Sequence, residues 1–147
     1  MRLSTRARYG VRFLMELAAC DTGCAITLKT VAGRQAISEK YLWQVADPLK
    51  KAGLVRTVTG PGGGYTLARN PAGITLLDIL CALEGDQALV ACTHTPSPCP
   101  RGPHCATRAL WRDVDKRIAD VLRDYTLQEL AERQRLLSAG GTGDYAI

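Results

Sequence analysis

The sequence predicts a mainly α-helical chain with one small β-hairpin, and three observations carry that prediction. Most of the chain places apolar residues at three- and four-residue spacing, the period of a helix with one buried face. Only one pair of short β-type segments interrupts that spacing, on either side of a Gly-rich turn. The composition, 46% hydrophobic and 22% charged over 147 residues, suits one packed domain rather than a disordered or fibrous chain. No apolar run approaches the roughly 20 residues of a membrane span, because Glu16 interrupts Phe13 to Cys20 and Asp78 interrupts Ile74 to Leu83. The basic start, Met1 to Arg6, lacks the apolar stretch and cleavage site of a signal peptide. A cytoplasmic protein without a membrane partner is expected.

Taken in order, Ser4 reads as the N-cap of a helix over residues 5–20, with Tyr9, Val11, Leu14, Leu17 and Ala18 near one face. Thr27 caps a short second helix through Leu28, Val31 and Ala32 to Gln35. Ser38 caps a third through Tyr41, Leu42, Val45 and Leu49 to Ala52, and Gly53 stops it. Two short helices across a tight turn make a helix-turn-helix. Pro48 complicates the third. Inside a helix it costs about 3 kcal/mol or more, so a kink or break is expected near Asp47, leaving residues 39–46 as the rigid element. Residues 54–58 and 64–67 read as paired strands around Thr59, Gly60, Pro61, Gly62 and Gly63. The glycine run does not open a helix and lacks GxxxxGK[ST], which favours a hairpin over a nucleotide loop. A helix-turn-helix followed by a basic hairpin is a winged helix, whose second helix enters the major groove of DNA. Glycines at the wing tip let backbone N–H groups approach phosphates closely.

Thr75 then opens a short apolar helix to Leu83, and residues 85–104 show no period. A long helix follows from Thr107 to Tyr125, with Leu110, Val114, Ile118, Val121, Leu122 and Tyr125 in a narrow stripe. That stripe suits a seam with a second subunit, and hence a homodimer, with intrachain packing on the winged helix as the competing reading. Thr126 and Glu129 form a capping box that starts a last helix to Leu137. The expected organisation is a DNA-binding unit over residues 1–70, a connector over 71–91 and a cysteine loop over 92–105. Dimerisation and C-terminal helices over 106–137 and a flexible tail over 138–147 complete it.

Charge narrows the function. The net is +5, but residues 1–70 hold 11 Lys and Arg against 4 Asp and Glu, whereas residues 71–147 hold 8 against 10. A basic first half beside a mildly acidic remainder indicates a polyanion partner for the first half alone. Arg6, Arg8 and Arg56 suit phosphate contacts by charge and position. A thiol enzyme is disfavoured, because the one adjacent pair, His104 and Cys105, has poor geometry and no nearby carboxylate to orient it.

Six cysteines are present. A disulfide framework is not expected in a cytosolic chain with an adequate core, so Cys20 and Cys81 read as small hydrophobes at apolar helical positions and Cys24 stays unassigned. Cys92, Cys99 and Cys105 differ. They lie in one Pro/Gly-rich loop with six and five residues between them. Three thiolates on one loop select soft partners, leaving an iron–sulfur cluster, zinc, a thiol redox switch or no ligand open, with His94 or His104 as a candidate fourth ligand. The spacing is not the CxxC of most structural zinc sites, which counts against zinc.

Several phrases are specific. Met1-Arg2-Leu3-Ser4 with Arg8-Tyr9, Ser38 with Tyr41-Leu42 and Gln44, Ala52-Gly53-Leu54-Val55 and Gly60-Pro61-Gly62-Gly63-Gly64-Tyr65 resemble the IscR/NsrR/RirA-type family of bacterial winged-helix transcriptional regulators. So do the three-cysteine loop and Ala109-Leu110-Trp111-Arg112-Asp113, and the resemblance spans about residues 1–137. It implies a dimer on a palindromic double-stranded DNA operator, RNA polymerase engaged indirectly, and a 2Fe-2S or 4Fe-4S cluster whose state tunes DNA binding. Cys92, Cys99 and Cys105 would be the ligands. Ser38, Lys40, Tyr41 and Gln44 would read bases, and the wing from Thr59 to Gly63 would touch a groove. Three positions depart from the pattern. Arg108 stands where IscR-type members have a ligand histidine, and Arg8 where NsrR-type members have a ligand carboxylate. Trp43 replaces a glutamate of the recognition helix. It either packs on the helix before it or, facing outward, relaxes operator discrimination.

Overall fold

The computed structural model describes residues 2–20, 24–96 and 98–140. Three helices come first: α1 (Thr5–Ala18), α2 (Leu28–Gln35) and α3 (Glu39–Lys51). Each begins where a hydroxyl was expected to cap it. Ser4, Thr27 and Ser38 accept from the backbone N–H of Ala7, Thr30 and Tyr41, satisfying donors that a helix start leaves unpaired. The turn between α2 and α3 runs through Ala36 in the left-handed region, and Ile37 plugs into the core behind it.

Strands β1 (Val55–Val58) and β2 (Gly64–Leu67) pair antiparallel, with Val55 opposite Leu67 and Val58 opposite Gly64. The wing is fastened to the body by Ile26, just before α2. Its N–H donates to the Tyr65 carbonyl at 2.9 Å and its carbonyl accepts from the Tyr65 N–H at 2.8 Å. Gly64 makes that approach possible: its φ is +148°, and a Cβ there would sit 2.5 Å from the Ile26 oxygen and 2.9 Å from the Thr27 nitrogen. Backbone atoms cannot step aside as a flexible side-chain tip can. Gly64→Ala is therefore expected to destabilise the protein by about 2–4 kcal/mol through strain and overpacking. Denaturant unfolding reads this, and an unchanged midpoint would contradict it.

Helices α4 (Leu76–Glu84), α5 (Ala106–Asp124) and α6 (Leu127–Gly140) complete the chain. Thr75 and Asp78 form a reciprocal capping box at the start of α4, and Thr126 and Glu129 bond in the same way at the start of α6. The Leu76 N–H donates to the Tyr125 carbonyl and the Leu127 N–H to the Ile74 carbonyl, so the α5–α6 junction is pinned beside the start of α4. The core joins Phe13, Leu14 and Leu17 of α1 to Leu42, Val45 and Leu49 of α3, with Ile74, Ile79 and Leu83 around α4 and Leu127 of α6.

Three expectations are revised. First, α3 runs unbroken through Pro48. Leu42, Val45, Ala46 and Leu49 on either side of it are fully buried. Burying a Val or Leu side chain contributes about 1.5–3 kcal/mol, so this face outweighs the roughly 3 kcal/mol of one interior proline. Second, Cys20 and Cys24 are joined by a disulfide, with Cα atoms 5.8 Å apart. The first is therefore not simply a small hydrophobe. Four positions apart around the end of α1, the pair falls within the Cα separation a disulfide spans, about 4.4–6.8 Å. Third, α6 continues past Leu137 to Gly140, so residues 138–140 of the expected tail are helical, and residues 141–147 lie outside the described ones.

Candidate nucleic-acid interface

The outward face of α3 presents Ser38, Lys40, Trp43, Gln44 and Asp47, all exposed, while the opposite face is core. Trp43 is 59% exposed, so it does not pack away on the preceding helix. Tyr41 is half-buried: its ring meets Tyr9 edge-on at 5.5 Å, and the Arg12 guanidinium lies 5.5 Å over the Tyr9 ring. That contact sets the first half of α1, with exposed Arg6 and Arg8, beside the start of α3. Arg8 also reaches the Thr5 hydroxyl at 3.3 Å. On the wing, Arg56, Thr59, Gly60, Pro61 and Gly62 are exposed and Gly63 is half-buried. Behind α3, Glu16 of α1 ties to Arg34 at 3.1 Å and to the Gln35 amide, bracing α2 against α1.

The cysteine loop lies against α5, which itself packs on α4. Cys92 lies in a single 3-10 turn, Ala91–Thr93, and Cys105 is the residue that precedes α5. Cys92, Cys99 and Cys105 are half-buried and outside any disulfide. Two side chains of α5 hold the first part of this loop. Arg108 Nε donates to the Cys92 carbonyl at 3.0 Å. Asp115 accepts from the Leu89 N–H at 3.0 Å and from the Thr93 hydroxyl at 2.7 Å. Neither role was visible in the sequence, although the half-burial of Asp115 within a charged helix is the kind of feature that marks an anchor. His94 is engaged with Asp86, whose carboxyl is held below the usual range by the Ala88 N–H and by His94. His104 is exposed in a second 3-10 turn, Gly102–His104.

As a donor set the three thiols fit a soft metal. The Thr107 hydroxyl, 3.1 Å from the Cys105 sulfur, and the Arg108 backbone N–H lower the Cys105 pKa, favouring the thiolate that metals bind. Among the described residues, no three His, Cys, Asp or Glu side chains are yet gathered into a metal cage. Cys81, exposed on α4 beside α5, is pushed the other way by desolvation and by Asp78 and Asp86.

The expected seam of α5 divides into two faces. Ile118 and Leu122 are half-buried and line a cleft against Leu77 and Cys81 of α4 in the same chain. Leu110, Val121 and Tyr125 are exposed, as is Trp111, and Val114 is half-buried.

A helix-turn-helix, a glycine-tipped wing and a long helix carrying a cysteine loop thus follow one another along a single chain. The family described as "Rrf2: Iron-dependent Transcriptional regulator" matches residues 3–133. This chain belongs to the Rrf2 family of transcriptional regulators. Within that family, it is 35% identical over 144 residues to the HTH-type transcriptional regulator IscR of Photorhabdus laumondii, covering 98% of this chain and 87% of the relative. Its fold is similar to that of CymR, the global cysteine regulator of B. subtilis, with a TM-score of 0.74 and 34% identity over 90% of this chain and 98% of that one. It is also similar to IscR of T. potens, with a TM-score of 0.70 and 36% identity over 90% and 88% of the two chains. These relatives are regulators, and the Rrf2 chain is accordingly a DNA-binding regulator rather than an enzyme. Among the described residues, no helix is long and apolar enough to cross a membrane.

Proposed function

We propose that this Rrf2 chain is a homodimer that binds a palindromic double-stranded operator and changes its operator affinity with the state of an iron–sulfur cluster. The observation that carries the reading is the fastening of the Cys92 segment to α5 by Arg108 and Asp115. It makes the order of the cysteine loop and the position of the long helix one mechanical unit. Cys92, Cys99 and Cys105 would hold the cluster, with His94, His104 or an external group as the fourth ligand. An iron–sulfur cluster supplies iron that oxidants or nitric oxide convert and that iron shortage removes.

The chain's own residues do the rest. The exposed Leu110, Val121 and Tyr125 face of α5 would meet its copy in a second subunit. Two α3 helices then lie at a separation set by α5, and half-sites one turn apart, about 34 Å, require that separation. Ser38, Lys40, Tyr41 and Gln44 would address base edges, with Tyr41 limited to its hydroxyl because its ring rests on Tyr9. Arg6, Arg8, Arg56 and the wing from Thr59 to Gly63 would hold phosphates and position the reading helix. As a transcription factor the protein would work in the cytoplasm, and RNA polymerase would be affected only through operator occupancy.

Trp43 would offer thymine methyl groups an apolar surface and little hydrogen-bond discrimination. Trp43→Glu is expected to narrow the operator set, disfavouring some single-base variants by about tenfold or more. Competition binding with variant duplexes measures this, and an unchanged preference at every position would refute it.

A second reading, a thiol-redox regulator without a cluster, draws support from the likeness to CymR, described as a cysteine regulator. Anaerobic purification with iron, sulfide and zinc analysis and visible absorption separates the readings. Iron and sulfide with a visible chromophore support the cluster. Colourless protein with stoichiometric zinc, or with no metal, rejects it.

A further inference from the structure

We propose that Cys20 and Cys24 form a reversible dithiol–disulfide site that sets how firmly the wing is held against the helix-turn-helix. Its oxidant is a low-molecular-weight disulfide. The site is separate from the cysteine loop, since it joins the end of α1 to the segment just ahead of α2. Two residues beyond Cys24, Ile26 exchanges both backbone hydrogen bonds with Tyr65, which fastens the wing. Thr27 follows at once as the cap of α2. Both cysteines line one cleft of about 510 Å³ with Thr30 and Arg34 of α2 and with Gly62 and Gly63 at the wing tip. The bond thus lies beside both α2 and the wing tip, two elements of the candidate interface.

The chemistry balances without further partners. Cys24 is exposed and Cys20 half-buried. The Cys24 thiolate attacks one sulfur of the small disulfide, forming a mixed disulfide and expelling one small thiolate. The Cys20 thiolate then attacks the Cys24 sulfur, forming the Cys20–Cys24 bond and expelling the second. Two protons leave the protein, its two sulfurs are oxidised, and the small disulfide is reduced to two thiols. Disulfides in DNA-containing, thiol-reducing compartments are characteristically transient and regulatory. Cys81 is a weak competitor, because its environment disfavours the thiolate.

Closing the bond tethers Cys24, two residues before Ile26, to the end of α1. The wing is then ordered before DNA arrives, and preorganisation tightens binding. The oxidised form is the tighter binder.

The test uses the full chain carrying Cys92→Ala, Cys99→Ala and Cys105→Ala, so that no cluster contributes, poised in mixtures of oxidised and reduced glutathione. Oxidation is expected to remove two hydrogens from the peptides bearing Cys20 and Cys24. It should also tighten operator binding by about fivefold or more. Cys20→Ser and Cys24→Ser in that background should bind as the reduced form does in every mixture. If no Cys20–Cys24 bond forms, or affinity is the same in both forms, the proposal is overturned. Should the background chain not bind DNA, amide exchange at Tyr65 in the otherwise unaltered protein gives the answer. Slower exchange in the oxidised form supports the site, and equal rates overturn it.

Discussion

Raising monovalent salt from about 50 to about 200 mM is expected to weaken operator binding by about a thousandfold. Arg6, Arg8 and Arg56 are exposed, and neither Arg6 nor Arg56 enters any ion pair among the described residues. Arg6 and Arg56 can therefore meet a phosphate without first breaking an ion pair, and Arg8 has only its contact with the exposed Thr5 hydroxyl to exchange. A dimer doubles the set to about six contacts, and each neutralised phosphate releases condensed counterions, giving a log–log slope near −5. The surplus of Lys and Arg in residues 1–70 adds a longer-range attraction that salt screens over about 8–10 Å. Arg56→Ala should flatten the slope by about two, one unit per subunit, and weaken all sequences alike, because a phosphate contact carries no base information. Binding measured by anisotropy at several salt concentrations decides it. A flat salt profile would remove the electrostatic basis of the interface described above.

Replacing Cys92, Cys99 and Cys105 together by alanine is expected to abolish the visible chromophore and the whole cluster-dependent change in operator affinity, about 10- to 100-fold. The scaffold should survive. Arg108 bonds the Cys92 carbonyl, and Asp115 bonds the Leu89 N–H and the Thr93 hydroxyl, so none of these anchors needs a thiol. The core of α1, α3 and α4 lies elsewhere. Circular dichroism and the thermal midpoint of the cluster-free form should therefore match those of the unaltered protein with its cluster removed. Two results would defeat the switch: an affinity response that persists in the triple variant, or a triple variant that has lost its helices.

Local chemistry explains why much of this is legible in the amino-acid sequence. Ser4, Thr27, Ser38, Thr75 and Thr126 announce helix starts, because a side-chain oxygen satisfies donors within its own three or four residues. Gly60 to Gly64 announces the wing, because Gly60, Gly62 and Gly64 adopt positive φ that other residues avoid. Gly64 has a second reason that no local pattern shows: the Ile26 carbonyl, far earlier in the chain, occupies the space of its missing Cβ.

What stayed hidden depends on neighbours remote in sequence. Pro48 reads as a kink or break until the buried Leu42, Val45, Ala46 and Leu49 are seen to carry an unbroken helix past it. The α5 stripe reads as one face until α4 takes Ile118 and Leu122 and leaves Leu110, Val121 and Tyr125 bare. Tyr41 reads as a free reader until Tyr9 claims its ring. The cysteine triplet could be recognised from composition and spacing, whereas its attachment to α5 through Arg108 and Asp115 could not.

Element order, caps, wing, basic first half and soft-donor loop are thus readable from the residues, because each acts over a few positions or through bulk charge. Which faces are spent on the core, which remain open, and the meeting of Cys20 and Cys24 beside the wing anchor emerge only when the chain is folded. The physical reason is range: capping and turn chemistry saturate within one helical turn, while burial is shared among segments whose separation along the chain carries no information about their contact.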